Sequence, residues 1–572
     1  MSDPINIPQT WEISQLTQPL DHQDSDLTAS ISHALGVKRE QVKFWKICQR
    51  AIDARGGSVR FSYTIEATLR SGVQPKLRTD DRPPKVKQAE DLETWRLGDK
   101  ETKGLGEQNM KSPNLPLSKS PPLPVSQSPN LQRPVIIGMG PCGIFAALIL
   151  ARQGKRPILL ERGKAAGERA RDVTGFWRRG LAFDPESNVQ FGEGGAGTFS
   201  DGKLYTQIRD RENRIPWLLK ELVKAGAPED ILINSRPHIG TDRLIKVVRT
   251  LREEIISLGG EVRFSTAVME VRIEEGILRS VKTDKDEWIE SDVFVLAVGH
   301  SARDTFKMLY EAGVPFEAKP FSIGVRIEHP QSHIDRSLYG RFAGHPKLGA
   351  APYKFVWHGS SGRSTYSFCM CPGGLVVAAA SETGRVVTNG MSSYAREEAN
   401  ANAGFMVDVT PKDFGSDHPL AGIQYQRHWE EAAYRAGGEN YHAPSQLLVD
   451  FMEKRASKGP GSVKPSYEPG VRWTDLRECL PEYVTDVLRA AIPKINQKLS
   501  GFWLEDAVMT GVETRSSSPV RIARDSETNE CVSVKHLYPA GEGAGYAGGI
   551  ISAAVDGMRV AESILRRMGS NS

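Results

Sequence analysis

The sequence of 572 residues lacks the long apolar runs that mark membrane proteins. A membrane-spanning helix needs about 20 predominantly apolar residues, and no stretch approaches that length, so we expect no membrane span. The chain also lacks an excess of one charge, since its net charge is +4 and basic residues are interspersed with acids. No nucleic-acid partner is therefore predicted. The start of the sequence has neither the charged nor the apolar region of a secretory signal, so a cytoplasmic protein is expected.

Cysteine is scarce, and its six residues show no spacing typical of zinc ligands, so no metal site is predicted. Mostly scattered thiols are typical of a reducing compartment. Cys369 and Cys371 are the exception, because they form a C-x-C pair. Such a pair could form a reducible disulfide or place one thiol at a reactive centre. Alternate residues of a strand also share one face, where small thiols are ordinary core residues. Both interpretations stay open, and both cysteines are candidate catalytic residues.

A glycine-rich stretch predicts the start of a dinucleotide-binding βαβ unit. Three apolar residues precede Gly138, Gly140 and Gly143, an apolar helix follows, and a second apolar strand ends before Glu161 and Arg162. Gly138 permits a tight turn, Gly140 lets the backbone approach a pyrophosphate, and Gly143 keeps the helix close to the sheet. The helix N-terminus offers free N–H groups to phosphates. Glu161 is placed to accept hydrogen bonds from ribose hydroxyls, and Arg162 is included among the predicted cofactor contacts.

A second glycine-rich segment, Phe191–Lys203, contains five glycines. A packed core gains nothing from so many residues without side chains, so the segment is expected to lie against an extended ligand with its N–H groups turned towards it. A surface loop is the alternative. The predicted cofactor contacts in this segment are Glu193, Gly194, Gly195, Ala196 and Gly197.

Two later stretches repeat parts of the same pattern. Ser291–Gly299 is an apolar strand that ends in a small-residue turn, and Leu537–Ile550 contains a strand, an acid and a glycine turn before a helix. One Rossmann unit does not need the second of these elements, but a long cofactor lying across the sheet does. The predicted cofactor contacts from the later part of the chain are Val268, Gly299, Gly541, Glu542, Gly548, Gly549 and Ile550.

The length of the chain predicts about two to four folding units. Residues 1–71 are expected to form a small α+β module, because a helical pattern ends at Gly36 and apolar residues alternate from Val59 to Leu69. Residues 72–132 contain Ser-Pro and Leu-Pro segments without periodicity, which predicts a disordered linker. We expect the module to dock onto the main body and the linker to act as a tether.

Two arginines in the second half of the chain are further candidates. Arg326 and Glu328 share one face of an alternating strand. Arg326 could hold an anionic substrate if that face covers a cavity, or form an ordinary surface ion pair if it faces solvent. Arg515, in a Ser- and Thr-rich stretch, is a candidate for an anion contact, with an ordinary structural arginine as the alternative.

Five motifs together resemble the family known as FAD-dependent (FAD-utilising) dehydrogenases. They are FGEGGAGTFSDGK, PHIGTD, SFCMCPGG, GVETRSSSPVR and YPAGEGAGYAGGI. The resemblance covers about 133–567 and extends to Ile52-Asp53-Ala54-Arg55 in the N-terminal module. The long linker departs from the family pattern but lies outside every cofactor element.

This resemblance implies FAD as the cofactor and an α/β fold of the glutathione-reductase type. The FAD-binding domain would comprise 133–305 and 501–572, with an inserted α+β substrate or cap domain at 306–500 over the isoalloxazine. By the same resemblance, Glu161 would bind the adenosine ribose and Glu542 the ribityl chain or pyrophosphate side. Related flavoproteins often carry aspartate at the latter position.

The resemblance also implies redox chemistry without naming a substrate. We expect an FAD-dependent oxidoreductase that transfers hydride between the flavin and an organic substrate. The alternative is a flavoprotein whose FAD is structural or sensory and whose N-terminal module recruits a protein partner. No second glycine fingerprint with a following acid is present, so electrons are expected from transiently bound NAD(P)H, from the substrate or from a protein donor.

Overall fold

The computed structural model of the protein describes residues 9–55, 57–77, 83–89 and 133–570. These residues form a mixed α/β structure. The strands are β1 (Thr10–Pro19), β2 (Val42–Asp53), β3 (Arg60–Leu69), β4 (Lys85–Gln88), β5 (Val135–Ile137), β6 (Ile158–Leu160), β7 (Glu261–Arg263), β8 (Val268–Glu274), β9 (Ile277–Thr283), β10 (Trp288–Glu290), β11 (Phe294–Leu296), β12 (Phe316–Ala318), β13 (Phe321–Pro330), β14 (Val356–His358), β15 (Ser364–Cys371), β16 (Leu375–Ala378), β17 (Thr388–Met391), β18 (Asn400–Val409), β19 (Ala443–Leu447), β20 (Val471–Trp473), β21 (Val508–Glu513), β22 (Val520–Ile522) and β23 (Leu537–Pro539). The α-helices are α1 (Asp24–Leu35), α2 (Pro141–Arg152), α3 (Ala166–Arg179), α4 (Arg214–Lys224), α5 (Thr241–Ser257), α6 (Arg303–Glu311), α7 (Gln331–Tyr339), α8 (Ala421–Gly437), α9 (Leu448–Met452), α10 (Glu482–Lys498) and α11 (Ile550–Ser570).

The N-terminal sheet is antiparallel, in the order β2-β3-β1-β4, and α1 packs against it. In β3, Phe61, Tyr63 and Ile65 are buried while the residues between them are more exposed, which is the alternation of a half-buried strand. The helix α1 ends at Gly36, which adopts the left-handed conformation that glycine favours. Both the predicted helix and the predicted strand are therefore present.

The strand β4 lies in the segment that the sequence predicts to be a linker. Its residues pair with Trp11–Ser14 of β1 and complete the sheet. The prediction of a linker from residue 72 onward is wrong for Lys85–Gln88, because a short edge strand rich in lysine leaves no apolar alternation in the sequence. The predicted linker residues 90–132 lie outside the described residues.

The N-terminal sheet is joined to the main body by backbone hydrogen bonds at β2. The N–H of Arg50 donates to the carbonyl oxygen of Ile233 (2.7 Å), and the N–H of Ser235 donates to that of Arg50 (2.9 Å). These bonds agree with the expectation that the module docks onto the rest of the chain.

The central sheet is parallel, in the order β23-β11-β5-β6-β7. Its inner strands consist of apolar residues that are all buried, as expected when helices cover both faces. The helix α2 follows β5, and the glycine turn after β23 leads into α11. Both helices therefore begin at the carboxyl edge of the same sheet, although they come from distant parts of the sequence.

The helices α2 and α11 pack against each other through a glycine. An added Cβ on Gly557 of α11 would lie 2.1 Å from the carbonyl oxygen of Cys142 in α2. Because no side chain fits there, this contact fixes the separation of the two helices close to the N-terminus of α2.

Gly557→Ala is therefore expected to lower the free energy of unfolding by about 1–3 kcal/mol, since the added methyl group forces the two helices apart. The urea midpoint of unfolding measures this loss. Gly569→Ala in the same helix is the control, because its added Cβ meets no atom within 4 Å. A change of less than about 0.5 kcal/mol in both variants would contradict the proposed tight contact.

A seven-stranded sheet forms the second large layer, in the order β14-β15-β18-β13-β21-β19-β20. Its central strand β13 is buried along nearly its whole length, since β18 and β21 flank it and α7 packs against it. The strand β21 (Val508–Glu513) lies inside this sheet, so the predicted boundary at residue 500 is misplaced. None of the described helices combines the length and the apolar composition that a membrane crossing requires.

Candidate functional site

A cavity of about 890 Å³ opens where the parallel strands of the central sheet end. Its wall includes Ile137 at the end of β5, Leu160 at the end of β6 and Ala297 just after β11. Ligands of open α/β sheets bind in crevices at the carboxyl ends of the strands. The volume lies within the range of cofactor and small-molecule sites, about 300–1,000 Å³. This cavity is therefore the candidate functional site.

The first glycine turn, Gly138–Gly143, borders the cavity. An added Cβ on Gly138, which has φ +102°, would lie 2.4 Å from the carbonyl oxygen of Ala297. An added Cβ on Gly140, which lines the cavity, would meet no atom within 4 Å. Gly143 does not line the cavity, and its added Cβ would lie 1.9 Å from the carbonyl oxygen of Gly138. Gly138 and Gly140 thus shape the cavity wall, whereas Gly143 allows the helix to contact the turn.

Glu161 follows β6 and joins several loops at the cavity wall. Its carboxylate accepts backbone hydrogen bonds from Met139 (2.8 Å), Gly163 (2.8 Å) and Gly192 (2.9 Å). Three loops are therefore joined at one buried side chain. An ionised carboxylate has about four acceptor sites, so one remains for a ribose hydroxyl.

Arg162 also lines the cavity, but its guanidinium is engaged by protein groups. It donates to the carboxylates of Glu186 and Asp304 and lies 4.3 Å from the ring centre of Phe191. Its charge is therefore balanced within the protein, and it shapes the wall more than it offers a free cation.

The glycine loop after α3 contributes one side of the cavity. Gly195, Ala196 and Gly197 line it, but Glu193 and Gly194 do not. The Glu193 carboxylate accepts from the N–H of Ala166 (2.7 Å), while the N–H of Gly194 donates to the carbonyl oxygen of Met139 (2.8 Å). Glu193 and Gly194 therefore anchor the loop, whereas a direct contact with the cofactor was predicted for them.

The late glycine turn also borders the cavity. Val268, Gly299, Glu542, Gly548, Gly549 and Ile550 line the cavity. Gly541 does not, because its N–H donates to Asp556 (2.8 Å) and its α-carbon faces Cys142 of α2. It therefore supports the packing of this turn against α2.

Glu542 has an unusual electrostatic environment. Burial raises the pKa of its carboxyl to about 7, although the charge of Lys319 and the N–H of Gly549 oppose this rise. The hydrogen bond to Gly549 ties the carboxyl to the residue that precedes α11. Glu542 can therefore hold or release a proton near neutral pH at the start of that helix.

Arg515 lines the cavity but belongs to a buried ion cluster. Its guanidinium donates to Glu430 (3.0 Å) and Ser301 (2.9 Å), and Glu430 in turn pairs with Arg303 (2.6 Å). Burial and the charge of Arg303 lower the pKa of Arg515. The structure therefore favours the structural interpretation of Arg515 over a free anion contact.

Arg326 is neither exposed nor open to the cavity, so neither predicted role fits. Its side chain is fully buried and pairs with Glu513 of β21 (2.5 Å), not with Glu328. Its Nη1 also donates to the carbonyl oxygen of Cys369 (2.9 Å). The reason is that the face shared by Arg326 and Glu328 is covered by protein, where a buried charge must find a partner. Arg326 supports the backbone that carries Cys369.

The two cysteines converge on Lys203. Cys369 lines the cavity, whereas Cys371 is buried and does not. The Nζ atom of Lys203 lies 3.7 Å from each sulfur. A β-bulge between Phe368 and Cys371 interrupts the strand alternation at this point. Cys369 is thus open to the cavity, which the C-x-C spacing alone did not decide.

The polar residues of the cavity wall that sequence reasoning missed include Lys203, Lys319 and His300. The ammonium of Lys319 donates to Ser517 (2.7 Å). Burial, together with the charges of Arg515 and Arg303, lowers the pKa of His300 to about 3, so its imidazole is neutral. Lone basic residues give no pattern in a sequence. Only the position of Lys203 at the end of the glycine loop could have signalled its place.

Comparison with known proteins adds the family. A model of the FAD-dependent protein, C-terminal domain-like family matches residues 320–516. A domain of unknown function matches residues 11–68. An uncharacterized protein of Clostridium beijerinckii is 44% identical over 557 residues, covering 97% of this chain and 98% of its own length. The chain belongs to the FAD-dependent dehydrogenase family. The resemblance given by the five sequence motifs is thereby confirmed.

Solved structures of flavoenzymes show only a distant similarity. L-proline dehydrogenase from P. horikoshii is 12% identical with a TM-score of 0.31, over 77% of this chain and 95% of that one. Glycerol-3-phosphate dehydrogenase from Bacillus halodurans, complexed with FAD, is 11% identical with a TM-score of 0.32, over 78% and 65%.

The cavity of this family member fits FAD, a long anionic cofactor. The N-termini of α2 and α11 both border it and offer free N–H groups and partial positive charge for a pyrophosphate. At Gly140, Gly299, Gly548 and Gly549, an added Cβ would meet no atom within 4 Å. The backbone is therefore open to a ligand along the cavity, from the first glycine turn to the last.

Proposed function

We propose that this protein is an FAD-dependent oxidoreductase whose cofactor lies along the cavity between the two glycine turns. The observation that carries this proposal is that α2 and α11 both begin at one cavity, each after a glycine turn on the same parallel sheet. When bound, FAD supplies hydride transfer to or from an organic substrate. A glutathione-reductase-type arrangement, with the seven-stranded sheet as an inserted substrate or cap unit, is part of the proposal.

In this proposal, different residues of the chain contact different parts of the cofactor. Glu161 receives the adenosine ribose, and the turn at Gly140 with the start of α2 receives the pyrophosphate. The N-terminus of α11 borders the same cavity, where its partial positive charge would stabilise negative charge that develops on a reduced flavin. Glu542 lies beside that helix start with a raised pKa, so it is placed to hold a proton there.

The source of the electrons is a separate part of the proposal. We infer that NAD(P)H, the substrate or a protein donor supplies the electrons. The sequence has a single complete glycine fingerprint followed by an acid, and FAD occupies it in the proposal. The substrate or donor would approach from the side of the cavity that Lys203, Lys354 and Cys369 line.

The purified protein is expected to be yellow, with about one FAD per chain, and its flavin is expected to lose absorbance under anaerobic titration with NADH, NADPH or reduced ferredoxin. Flavin absorbance against added donor measures this directly. A colourless protein that cannot be reconstituted with FAD would contradict the proposal. Bound flavin that none of the donors reduces would favour the alternative role, in which FAD is structural or sensory and the N-terminal module recruits a partner.

A further inference from the structure

A pair of thiols that has no role in the proposed FAD binding lies at the wall of the cavity. Cys369 and Cys371 flank one residue of β15, and the ammonium of Lys203 lies 3.7 Å from both sulfurs. Only Cys369 lines the cavity; Cys371 is buried. The pair thus has one thiol within reach of a ligand and a second thiol immediately behind it.

Charged groups on several elements surround Cys369. Lys203 and Arg326 bring positive charge, while Asp201, Glu513 and Glu542 bring negative charge and Tyr205 lies nearby. Asp201 forms buried ion pairs with both Arg396 and Lys203, whose Nζ atom lies 3.2 Å from its carboxylate. Glu513 is likewise paired with Arg326. Two cations share the single carboxylate of Asp201, so the charge of Lys203, whose ammonium lies 3.7 Å from both sulfurs, is only partly balanced.

These surroundings shift the pKa values of the two thiols in opposite directions. The hydrogen bond from Cys371 lowers the pKa of Cys369 well below its usual range, against the effect of burial and with help from Lys203 and Arg326. The same hydrogen bond and burial raise the pKa of Cys371 well above its usual range. Of the two thiols, the one that is open to the cavity is therefore the one that gives up its proton more readily.

We propose that Cys369 and Cys371 form a thiol–disulfide couple that reduces a small anionic disulfide in the cavity. The anionic character of the substrate is inferred from the cationic side chains at this end. Lys203 contacts the thiols as well as Asp201, and Lys354 lines the same cavity. Lys354 precedes Phe355, whose carbonyl oxygen accepts a hydrogen bond from Ser367 on the strand that carries the thiols.

The chemistry balances in two exchange steps. The Cys369 thiolate attacks one sulfur of the substrate, the substrate S–S bond breaks, and one half leaves as a thiolate. Cys371 then gives up its proton and attacks the Cys369 sulfur. The second half of the substrate leaves as a thiol, and a Cys369–Cys371 disulfide remains. Two protein thiols are oxidised, and the substrate disulfide is reduced to two thiols.

Return to the dithiol needs two electrons and two protons. Reduced FAD, bound as proposed above, would supply them, and this return step rests on that proposed function. The exchange steps themselves need no flavin, so they can be tested whether or not the protein retains FAD.

The test uses the reduced full-length protein and 5,5′-dithiobis(2-nitrobenzoate), a disulfide with two carboxylates. The unmodified protein is expected to release two equivalents of thionitrobenzoate in a fast phase and to end lower in mass by two hydrogens. Cys371→Ser is expected to release one fast equivalent and to keep a stable mixed disulfide. Cys369→Ser is expected to lose the fast phase, and Cys48→Ser, the control at the other partly exposed cysteine, is expected to keep it.

Lys203 is a positioning residue in this proposal, so its test is a pH profile. Lys203→Met is expected to raise the midpoint of the pH dependence of the fast phase by about 1–3 pH units, because a cation in contact with a thiolate lowers its pKa by that order. An unchanged midpoint would contradict the role of Lys203. Circular dichroism shows that each variant is folded.

Two results would overturn the thiol couple. The first is a fast phase that persists in Cys369→Ser, and the second is an unmodified protein that ends as a double adduct without an internal disulfide. If the protein passes this test but binds no FAD, the thiol chemistry is supported and the proposed function is wrong. If the protein is yellow and reducible but fails this test, only the proposed function is supported.

Discussion

Gly140→Leu is expected to give a folded protein that retains almost no FAD. Gly140 has φ −76° and ψ −178°, an extended conformation that any residue adopts, so the leucine adds no backbone strain. Its side chain begins in open space and extends into the cavity beside the start of α2. It would occupy the volume proposed for the pyrophosphate, and the phosphates would lose their hydrogen bonds to the helix N-terminus.

The expected loss of affinity for FAD is at least about 100-fold. Losing two hydrogen bonds to charged groups, each contributing about 1.5–3 kcal/mol, corresponds to this factor or more, since 1.4 kcal/mol is tenfold. The ratio of flavin to protein absorbance after gel filtration and a titration of apoprotein with FAD measure the loss. Circular dichroism and the urea midpoint check that the fold is kept.

Gly167→Leu is the matched control for this variant. Gly167 lies in the first turn of α3, its added Cβ meets no atom within 4 Å, and it does not line the cavity. It is expected to bind FAD normally. If Gly140→Leu retains FAD like the control, the pyrophosphate does not lie at this turn and the proposed path of the cofactor is wrong.

Glu430→Gln is expected to cost about 3 kcal/mol of folding stability, the largest effect we predict for a single charge in this protein. Glu430 of α8 lies between Arg303 of α6 and Arg515 after β21, and all three side chains are buried. Removing the shared carboxylate leaves two buried guanidinium groups without the negative charge that balances them. Breaking such buried pairs costs about 3–5 kcal/mol. Glu382 still contacts Arg303 (2.7 Å), which places the expected loss at the lower end.

The neighbouring residue provides the control. Glu431 pairs with Arg385, and 44% of its side chain is exposed, so Glu431→Gln is expected to cost less than about 1 kcal/mol. Unfolding in urea, followed by tryptophan fluorescence, compares the two variants. Equal and small losses would show that the Glu430 cluster does not stabilise the joint between α6, α8 and β21.

The same cluster predicts how stability depends on pH. Although burial alone raises the pKa of Glu382, hydrogen bonds to Arg427 and the charge of Arg303 lower it to about 2. The charges of Arg303 and Arg515 likewise hold the pKa of Glu430 well below its usual range, against burial. A carboxyl with a lowered folded-state pKa stabilises the fold above its unfolded pKa, about 4.3, and loses this contribution as pH falls through the folded value. The urea midpoint should therefore fall steeply below about pH 4, and less steeply in Glu430→Gln.

The cofactor elements were predictable because each one depends on a short stretch of chain. At Gly138 the backbone has a positive φ, and at Gly140 a ligand needs open space, so glycine is required at fixed positions beside an apolar strand. The late turn at Glu542 follows the same local rule. These requirements appear in the sequence itself and predict a dinucleotide site, whereas FAD and the family were inferred from the resemblance of the motifs taken together.

The limits of the modules were harder to predict. The strand β4 carries mostly lysine and glutamine at a sheet edge, and β21 resembles any other apolar strand until its partners are known. Strand pairing joins residues that are far apart in the chain, so neither composition nor periodicity reveals which sheet a strand enters.

The roles of the charged and nucleophilic candidates depended entirely on tertiary contacts. Arg326 and Arg515 find their carboxylates on other strands and helices, at Glu513 and Glu430. Cys369 acquires its cation from Lys203, which follows the glycine loop. The sequence alone determined the cofactor class, because glycine positions, helix starts and apolar strands obey local rules. Only the tertiary structure decided which charges are neutralised and which thiol faces the cavity, because the energy of a buried charge depends on partners brought together by folding.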